Sequence, residues 1–383
     1  MQKGRHDVFL STCLIVAVLQ ACLQYAMGIN MRREECQLHK FFKPAPLKGG
    51  FSMEDYWVWC GSVIKGEDGN YHMFASRWKK TYQFHPGWGI DSEIVRAVSR
   101  TPEGPYIFEE VVLPSRSAGY WDGRITHNPV IQKHGDTYVL FYMGSTYPYP
   151  DIPQDGSLNF ESYQWICSRS NKRIGMATSK SIFGPWKRSD RPLLDVRPGH
   201  FDDFFTSNPA PCINPDGSCL LVYKTRSWKK PPDGEYKSGN EMYSGMKLGA
   251  AWAPHWSGPY ERITDKPLFE DGGEVEDPFI WRTDTGYAMI AKDFNGIYTG
   301  NIGDGVYATS EDGVKWNVRS GPSFTRDILW DDGKVRKMGN MDRPFLLIDE
   351  NGEATHLFVA TNDGTDVDFI TMNRAWNACI PLA

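Results

Sequence analysis

The chain has 383 residues, of which 40% are hydrophobic and 23% charged, a balance typical of a globular protein with a sizeable core. Its formal net charge of -5 argues against a nucleic-acid partner, because phosphate binding needs a basic surface. The 37 glycines and 25 prolines are spread along the chain, and this length is compatible with a single all-β domain.

The first 28 residues have the pattern of an export signal. Basic residues at Lys3 and Arg5 precede an apolar run over 8–19, as in secretory signal peptides. Two cleavage sites compete: one follows Gly28, and the other precedes Cys22, which resembles a lipoprotein site and would carry a lipid anchor. An uncleaved membrane anchor is disfavoured because the run is shorter than about 20 residues. We expect an exported protein, periplasmic, secreted or held at the outer membrane as a lipoprotein, in which 29–383 form one domain.

Export would permit disulfides among the remaining cysteines. Cys212 and Cys219 flank a turn signal at 214–217 and would face each other across a hairpin if its loop had two residues. A second pairing would join Cys36 to Cys379, where the chain ends would meet. No Cys or His pair has the spacing of zinc ligands.

A repeat of five predicted β-hairpins runs along the chain. Each unit has an apolar run, a glycine-containing turn and a second apolar or aromatic run, and successive units start roughly 65 to 80 residues apart. The five hairpins cover 62–78, 128–145, 208–226, 276–294 and 343–363. A second turn motif follows each of the first four, at 95–106, 174–186, 248–260 and 306–316.

Two hairpins in each unit supply the four strands of one propeller blade. The sequence therefore predicts an all-β fold, a five-bladed β-propeller with four-stranded blades around a central funnel. The fifth unit lacks a full second hairpin, and we expect residues near the N-terminus to complete it and close the ring, which would also hide the sheet edges.

The innermost strands of all blades start at the same end of a propeller channel, so the residues just before each first hairpin should converge on one funnel. At four of these starts a polar or charged residue precedes a proline, which fixes φ there. The side chains suited to proton transfer are Asp122, His127, Asp203, Glu276 and Asp277. The side chains suited to sugar contact are Trp57, Asn128, Asn208, Trp281, Asp342 and Arg343.

Each of these residues also has a purely structural interpretation. Asp122 would serve equally well as a turn residue that accepts backbone amides, and Asp203 as part of a solvated loop. His127 and Arg343 would serve as hydrogen-bonding residues, although Arg343 also suits a carboxylate or sulfate on a sugar. Among the aromatic residues, Trp57 is the one we favour for stacking.

With these motifs the sequence resembles the five-bladed propeller glycoside hydrolases, chiefly family 43, with families 32 and 117 as relatives. Glu276-Asp277-Pro278 fits the family 43 style of inner-strand start, and Asn128 and Asn208 stand before proline where Asp would be expected. The sequence departs from that pattern in blade one, where Cys60-Gly61 occupies the place of the catalytic base. The sequence requires no cofactor, and a structural cation in the central channel, as in several relatives, is compatible with it but is not indicated by residue spacing. The resemblance to family 117 would make His127 an acid.

We therefore expect an exo-acting, inverting glycosidase that removes a terminal sugar from a plant or algal oligosaccharide, with Glu276 or Asp277 opposite Asp122. The aromatic, polar segments 76–91, 145–170 and 227–245 should form the pocket walls. The alternative is a non-catalytic carbohydrate-binding propeller, because fold does not fix function. A third hypothesis is transfer to phosphate instead of water.

Overall fold

The computed structural model describes residues 37–229, 242–365, 367 and 369–383. The predicted export signal, both of its cleavage sites and Cys36 lie outside these residues. The described part is almost entirely β-structure, with a short 3-10 helix at Leu38–Phe41 and two eight-residue helices, α1 (Phe84–Asp91) and α2 (Tyr163–Ser170). Within this part of the chain, no helix is long and apolar enough to cross a membrane.

Five antiparallel blades follow one another along the chain, each with its innermost strand first. Blade one contains β1 (Tyr56–Lys65), β2 (Tyr71–Lys79), β3 (Glu93–Ser99) and β4 (Ile107–Leu113). Blade two contains β5 (Ile125–His134), β6 (Thr137–Ser145), β7 (Arg173–Ser179) and β8 (Lys187–Arg188). Blade three contains β9 (Phe205–Ile213), β10 (Cys219–Arg226), β11 (Lys247–Ala253) and β12 (Glu261–Arg262).

Blade four contains β13 (Val275–Thr283), β14 (Gly286–Asp293), β15 (Gly305–Ser310) and β16 (Asn317–Val318). A small hairpin, β17 (Asp327–Leu329) and β18 (Val335–Lys337), leads to blade five, which contains β19 (Met341–Ile348), β20 (Ala354–Asn362) and β21 (Ala375–Pro381). The five hairpins predicted from the sequence are therefore the first two strands of the five blades, and the propeller fold is confirmed.

The N-terminal segment closes the ring as predicted. Phe51 pairs with Asn377 of β21 through two backbone hydrogen bonds of 2.9 Å, one in each direction. On its other side, the Gly50 amide donates to the Glu103 carbonyl at 2.7 Å, and the Gly50 carbonyl accepts from the Tyr106 amide at 2.9 Å. This segment thus covers the outer edge of β21 and joins blade five to the β3–β4 turn of blade one.

The apolar core lies between adjacent blades, so most inner strands are buried on both faces. In β2, Met73 and Ala75 belong to the apolar cluster shared with blade five, whereas Phe74 belongs to the cluster shared with blade two. Successive side chains of a strand point to opposite faces. This arrangement explains why the sequence of each first hairpin is a nearly continuous apolar run.

The predicted disulfide between Cys212 and Cys219 does not form, and all five described cysteines are free. The hairpin loop has more than two residues, and the register pairs Cys219 with Ile213 and Cys212 with Leu220. A shift of one residue puts the two thiols on opposite faces of the sheet. Cys212 accordingly packs toward blade four, and Cys219 toward blade two.

Candidate active site

Five residues at equivalent positions of the inner strands share a left-handed backbone. Their φ angles are 58° for Cys60, 55° for Asn128, 48° for Asn208, 57° for Asp277 and 51° for Arg343. The register of each inner pair shifts at this point, as in a β-bulge. Non-glycine residues rarely adopt such angles, and bulges redirect side chains. We call these five residues the axial ring.

Hydrogen bonds connect the axial ring around the propeller axis. The Cys60 thiol donates to Asn128 Oδ1 at 2.7 Å, and Asn128 Nδ2 donates to Asn208 Oδ1 at 2.8 Å. Asn208 Nδ2 donates in turn to Asp277 Oδ1. The Arg343 guanidinium lies 3.6 Å from the same oxygen, and its backbone amide donates to Asp277 Oδ2 at 3.2 Å. The axial ring therefore forms a polar floor across the channel.

Above this floor lies a cavity of about 960 Å³, open on the side from which the inner strands start. His127, Glu276 and Asp342, which immediately precede axial-ring residues, line it. Helix α1 contributes His85 and Trp88 to the wall, as the aromatic segment 76–91 predicted. The segment 145–170 also supplies wall residues, namely Phe160 and Arg169. None of the described residues of 227–245 lines the cavity, and part of that segment lies outside the described residues. We call this cavity the funnel.

Glu276 and Asp342 differ in ionisation although both are buried. Burial alone would raise the pKa of Glu276, but Lys224, to which it is hydrogen-bonded, and Lys292 lower it to about 2. For Asp342 burial prevails and raises the pKa to about 7, aided by the carboxylates of Asp277 and Glu276 and opposed by Lys292, whose ammonium lies 2.7 Å away. Near neutral pH the funnel therefore holds one ionised carboxylate and one that readily carries a proton.

Asp277 and His127 lie beside these two carboxyl groups. Burial and the neighbouring Glu276 raise the pKa of Asp277, and its role in the axial ring fixes both of its oxygens. Burial, with Arg343 and Lys172, lowers the pKa of His127 well below its usual value. Its Nδ1 lies 2.7 Å from Ser92 Oγ, and its ring stacks on Trp88 with centroids 5.1 Å apart. His127 is therefore a neutral, firmly held imidazole.

Several of the predicted sugar-contacting residues reach the funnel. Asn128, Asn208, Asp342 and Arg343 line it at or just above the floor. Trp57 lines it as well, with its indole N–H donating to the Tyr82 carbonyl at 3.0 Å and the Lys80 ammonium 5.1 Å from its ring centroid. The indole is thus held in place by its own polar edge.

The structure does not bring Asp122 into the funnel, which corrects the expectation that it faces Glu276. Its carboxylate is fully buried. It accepts from Arg116 at 2.6 Å, from the Tyr142 hydroxyl at 2.8 Å and from Arg188 at 3.4 Å. Asp202 repeats this pattern in blade three, with the Tyr223 hydroxyl at 2.8 Å. The residue three positions before the inner strand therefore braces its blade.

Asp203 and Trp281 also lie away from the residues that line the funnel. Asp203 accepts a hydrogen bond from the Trp228 amide at 2.8 Å, which fixes the start of a loop. Trp281 lies beyond the bulge in β13 and packs in the core on Phe279, with ring centroids 5.8 Å apart. Neither side chain is placed to touch a sugar in the funnel.

Most of the cations that line the funnel were not among the residues predicted from the sequence. These are Lys80, Arg169, Lys172, Lys224, Arg226 and Lys292. A signal existed for two of them: Lys224 and Lys292 interrupt the apolar strands β10 and β14 directly opposite residues that precede the axial ring. Nothing in the repeat pattern pointed to Arg169 and Lys172, which follow from the position of α2.

The channel does not fit a structural cation of the kind that several relatives hold. Among the described residues, no group of three or more His, Cys, Asp or Glu side chains is arranged to hold a metal ion. The small gap under the floor is lined largely by apolar residues, including Pro129, Val130 and Phe279, and by the Arg343 cation. A positive charge would therefore meet repulsion there instead of ligands.

Comparison with known proteins supports the fold. No protein-family model matches the chain, and neither does any curated sequence. A structure described as a glycoside hydrolase aligns with a TM-score of 0.61 at 13% identity, over 92% of this chain and 95% of that one. A family 117 glycoside hydrolase from the marine bacterium Zobellia galactanivorans gives 0.58 at 16%, over 89% and 90%. A thermostable family 43 glycoside hydrolase gives 0.54 at 16%, over 89% and 91%. The predicted resemblance in architecture to families 43 and 117 is thereby confirmed.

Proposed function

We propose that the protein is a glycoside hydrolase that cleaves a terminal sugar from an oligosaccharide bound in the funnel. The observation that carries this proposal is the pair of carboxyl groups with opposite ionisation, Glu276 of blade four and Asp342 of blade five, which both line the funnel. Glycoside hydrolysis needs a carboxylate and a carboxylic acid at the scissile bond. The similarity in fold to glycoside hydrolases agrees with this assignment.

In the proposed mechanism, Asp342 is the general acid that protonates the departing oxygen. Lys292, paired with Asp342, would stabilise the carboxylate that remains. Glu276, ionised and oriented by Lys224, is the general base that activates water for attack from the opposite face of the sugar. Glu276 in blade four thus replaces the base that blade one lacks, where Cys60 is a buried neutral thiol with a raised pKa.

Exo-action is the mode that the shape of the funnel favours. The hydrogen-bonded axial ring crosses the channel, so a chain end fits against the floor while a polysaccharide has no path through it. A volume of about 960 Å³ is at the upper end for small-molecule sites. Inversion is part of this proposal because it needs a water between base and sugar.

The test is turnover by two single variants, Glu276→Gln and Asp342→Asn, on a panel of plant and algal oligosaccharides. Each amide keeps the shape but removes proton transfer, and we expect losses of about 10²- to 10⁴-fold in kcat. Glu350→Gln, an exposed change in the β19–β20 turn, is the matched control and should keep full turnover. NMR of the first product anomer tests inversion. Full activity of both funnel variants would contradict the assignment.

A non-catalytic carbohydrate-binding propeller is the second candidate, and one observation favours it. Three of the five axial-ring residues, Cys60, Asn128 and Asn208, are uncharged, and two of them stand where family 43 has Asp. Calorimetric binding of an oligosaccharide without any turnover in the same panel would establish this reading.

Export is also part of the proposal, and it is supported by the basic and apolar pattern of the first 28 residues. N-terminal sequencing of the protein purified from its native cell distinguishes cleavage after Gly28 from cleavage before Cys22. Incorporation of radiolabelled palmitate, lost in Cys22→Ser, would identify a lipid anchor. An intact N-terminus would contradict export by this signal.

A further inference from the structure

The charges that line the funnel do not balance. Among the described residues, seven Lys and Arg side chains and three carboxylates line it, although the whole chain carries a net charge of -5. All three carboxylates already have cation partners: Glu276 has Lys224, Asp342 has Lys292, and Asp277 has Arg343. Within the described part of the chain, positive charge therefore exceeds negative charge in the cavity.

The excess is concentrated on the wall between blades two and three. Among the described residues, no carboxylate forms an ion pair with Arg169, Lys172 or Arg226. The guanidinium groups of Arg169 and Arg226 lie 4.7 and 4.8 Å from the centroid of one ring, that of Tyr243, which brings both cations to one place. We call Arg169, Lys172 and Arg226 the cationic wall.

The cationic wall is buried yet short of polar partners. Lys172 is only 4% exposed, lies over the Phe205 ring at 3.7 Å and has no hydrogen bond from its ammonium to a described residue. Arg226 is 8% exposed and donates to the Ser244 carbonyl at 2.7 Å, but its Nε is unpartnered, as is that of Arg169. Buried charges are normally paired, because desolvation is costly.

A purely structural role explains only part of this arrangement. Arg169 lies in the last turn of α2 and Lys172 two residues beyond its end, where positive charge is favoured by the helix dipole. That effect is worth little and would operate equally well at the surface. It does not explain why the cations face a cavity, nor why Arg226 from β10 joins them. Burial and mutual repulsion lower the pKa of Lys172 well below its usual value, which an anion would relieve.

We propose that the cationic wall is a subsite for an anionic group on the sugar, a carboxylate or a sulfate ester, so that the substrate is an acidic oligosaccharide. That this ligand is a substrate rests on the proposed function, whereas its binding to the cationic wall does not depend on turnover. Two guanidinium groups and an ammonium group match the planar or tetrahedral oxygens of such groups. The aromatic rings of Trp88 and Phe205 line the funnel beside them and would support the apolar face of the sugar.

The test measures binding by calorimetry, with galacturonic acid and glucuronic acid as carboxylates, galactose 6-sulfate as the sulfate, galactose and glucose as neutral counterparts, and inorganic phosphate as a free anion. At least one acidic sugar should bind about 10- to 100-fold tighter than its neutral counterpart, as charge-assisted hydrogen bonds allow. The carboxylate and sulfate arms identify which anion fits. Equal affinity for acidic and neutral sugars would overturn the proposal, and so would phosphate that binds as tightly and competes with the sugars.

Substitutions in the cationic wall test whether its side chains cause the preference for acidic sugars. Lys172→Met and Arg226→Met should lower the affinity for the acidic sugar far more than that for its neutral counterpart and so abolish the preference, while circular dichroism verifies folding. Lys187→Met makes the same change of charge on the exposed strand β8 and should preserve the preference. If Lys172→Met fails to fold, Arg169→Gln replaces it. A preference that survives in these variants overturns the subsite.

Failure of the subsite and failure of the proposed hydrolysis are distinguishable. If neutral oligosaccharides are hydrolysed and this hydrolysis depends on Glu276 and Asp342, with no preference for acidic sugars, the proposed hydrolysis is supported and the anionic subsite is contradicted. If acidic sugars bind selectively but no oligosaccharide is turned over, the anionic subsite is supported and the proposed hydrolysis is contradicted.

Discussion

At the scale of single residues, Asp342 gives the proposed reaction a definite pH dependence. As the general acid it must carry its proton, and its pKa of about 7 implies that this form is lost as pH rises through 7. Glu276, with a pKa of about 2, stays ionised over the same range. We therefore expect kcat/KM to be highest in mild acid and to fall about tenfold for each pH unit above the pKa. The profile between about pH 5 and 9 tests this.

The pH dependence of stability tests the raised pKa of Asp342 without the need for a substrate. The carboxyl of Asp342 holds its proton more tightly in the folded than in the unfolded chain, so its contribution to stability is complete below about pH 4 and is lost as pH rises through about 7. In Asp342→Asn this part of the pH dependence should disappear. Urea unfolding of both proteins at about pH 5 and 8 measures the difference. Parallel pH dependences would contradict the raised pKa.

Asp122 illustrates a buried carboxylate whose function is to stabilise the fold. Asp122→Asn would leave Arg116 and Arg188 without their shared anion, and we expect a loss of roughly 3 kcal/mol in the free energy of unfolding. Asp151→Asn is the matched control, because Asp151 pairs with Arg124 but is 74% exposed, and it should cost under about 1 kcal/mol. Turnover per folded molecule should not change. Full stability with lost turnover would instead restore Asp122 as a catalytic residue.

At the scale of elements, the seam between the first and last blades depends on one glycine. Gly50 has φ of 68°, and a Cβ there would overlap the backbone oxygen of Asn377. Gly50→Ala should therefore separate the N-terminal segment from β21 and lower stability by about 2 to 4 kcal/mol, combining backbone strain with the lost pairing. Amide exchange should accelerate in β21 in particular.

Gly69 supplies the control for this change. It has a φ of 81°, but no atom lies within 4 Å of where its Cβ would be. Gly69→Ala should cost only the strain of the left-handed backbone, about 1 kcal/mol. Equal losses for the two variants would mean that the Gly50 contact contributes nothing to closure.

The blades and their inner strands were predictable from the sequence, whereas the contacts of several side chains were not. The spacing of hairpins and the X-Pro starts predicted five blades and located Asn128, Asn208, Asp277 and Arg343 on the funnel floor, because both signals are local. The direction of Asp122 was not predictable, since it depends on Arg116 and Arg188 from other segments. The cationic wall was equally inaccessible, because α2 lies in a loop whose path no periodicity encodes.

At the scale of the whole molecule, the charge of the residues that line the funnel is opposite in sign to the net charge of the chain. A chain of net charge -5 has three cations on the wall of the funnel that pair with no carboxylate of the described residues. Low-dielectric walls focus the field of such charges, so that an anion is attracted along the funnel while the outer surface repels it. The same arrangement would exclude anions too large to enter. Selection by charge thus begins before any hydrogen bond forms.

This focusing predicts a rate effect that depends on salt. The funnel contains Trp57, Trp59 and Trp88, so binding should change tryptophan fluorescence, and stopped-flow mixing can follow it. For an oligosaccharide ending in galacturonic acid, the association rate constant should fall by about tenfold between low and roughly 0.5 M NaCl, because the Debye length shrinks to a few ångströms. A neutral oligosaccharide of equal length should show almost no change, and Lys172→Met should reduce the salt dependence of the acidic one. Identical salt dependence for both sugars would mean that the excess charge is compensated before the ligand arrives, and the anionic subsite would then lose its electrostatic basis.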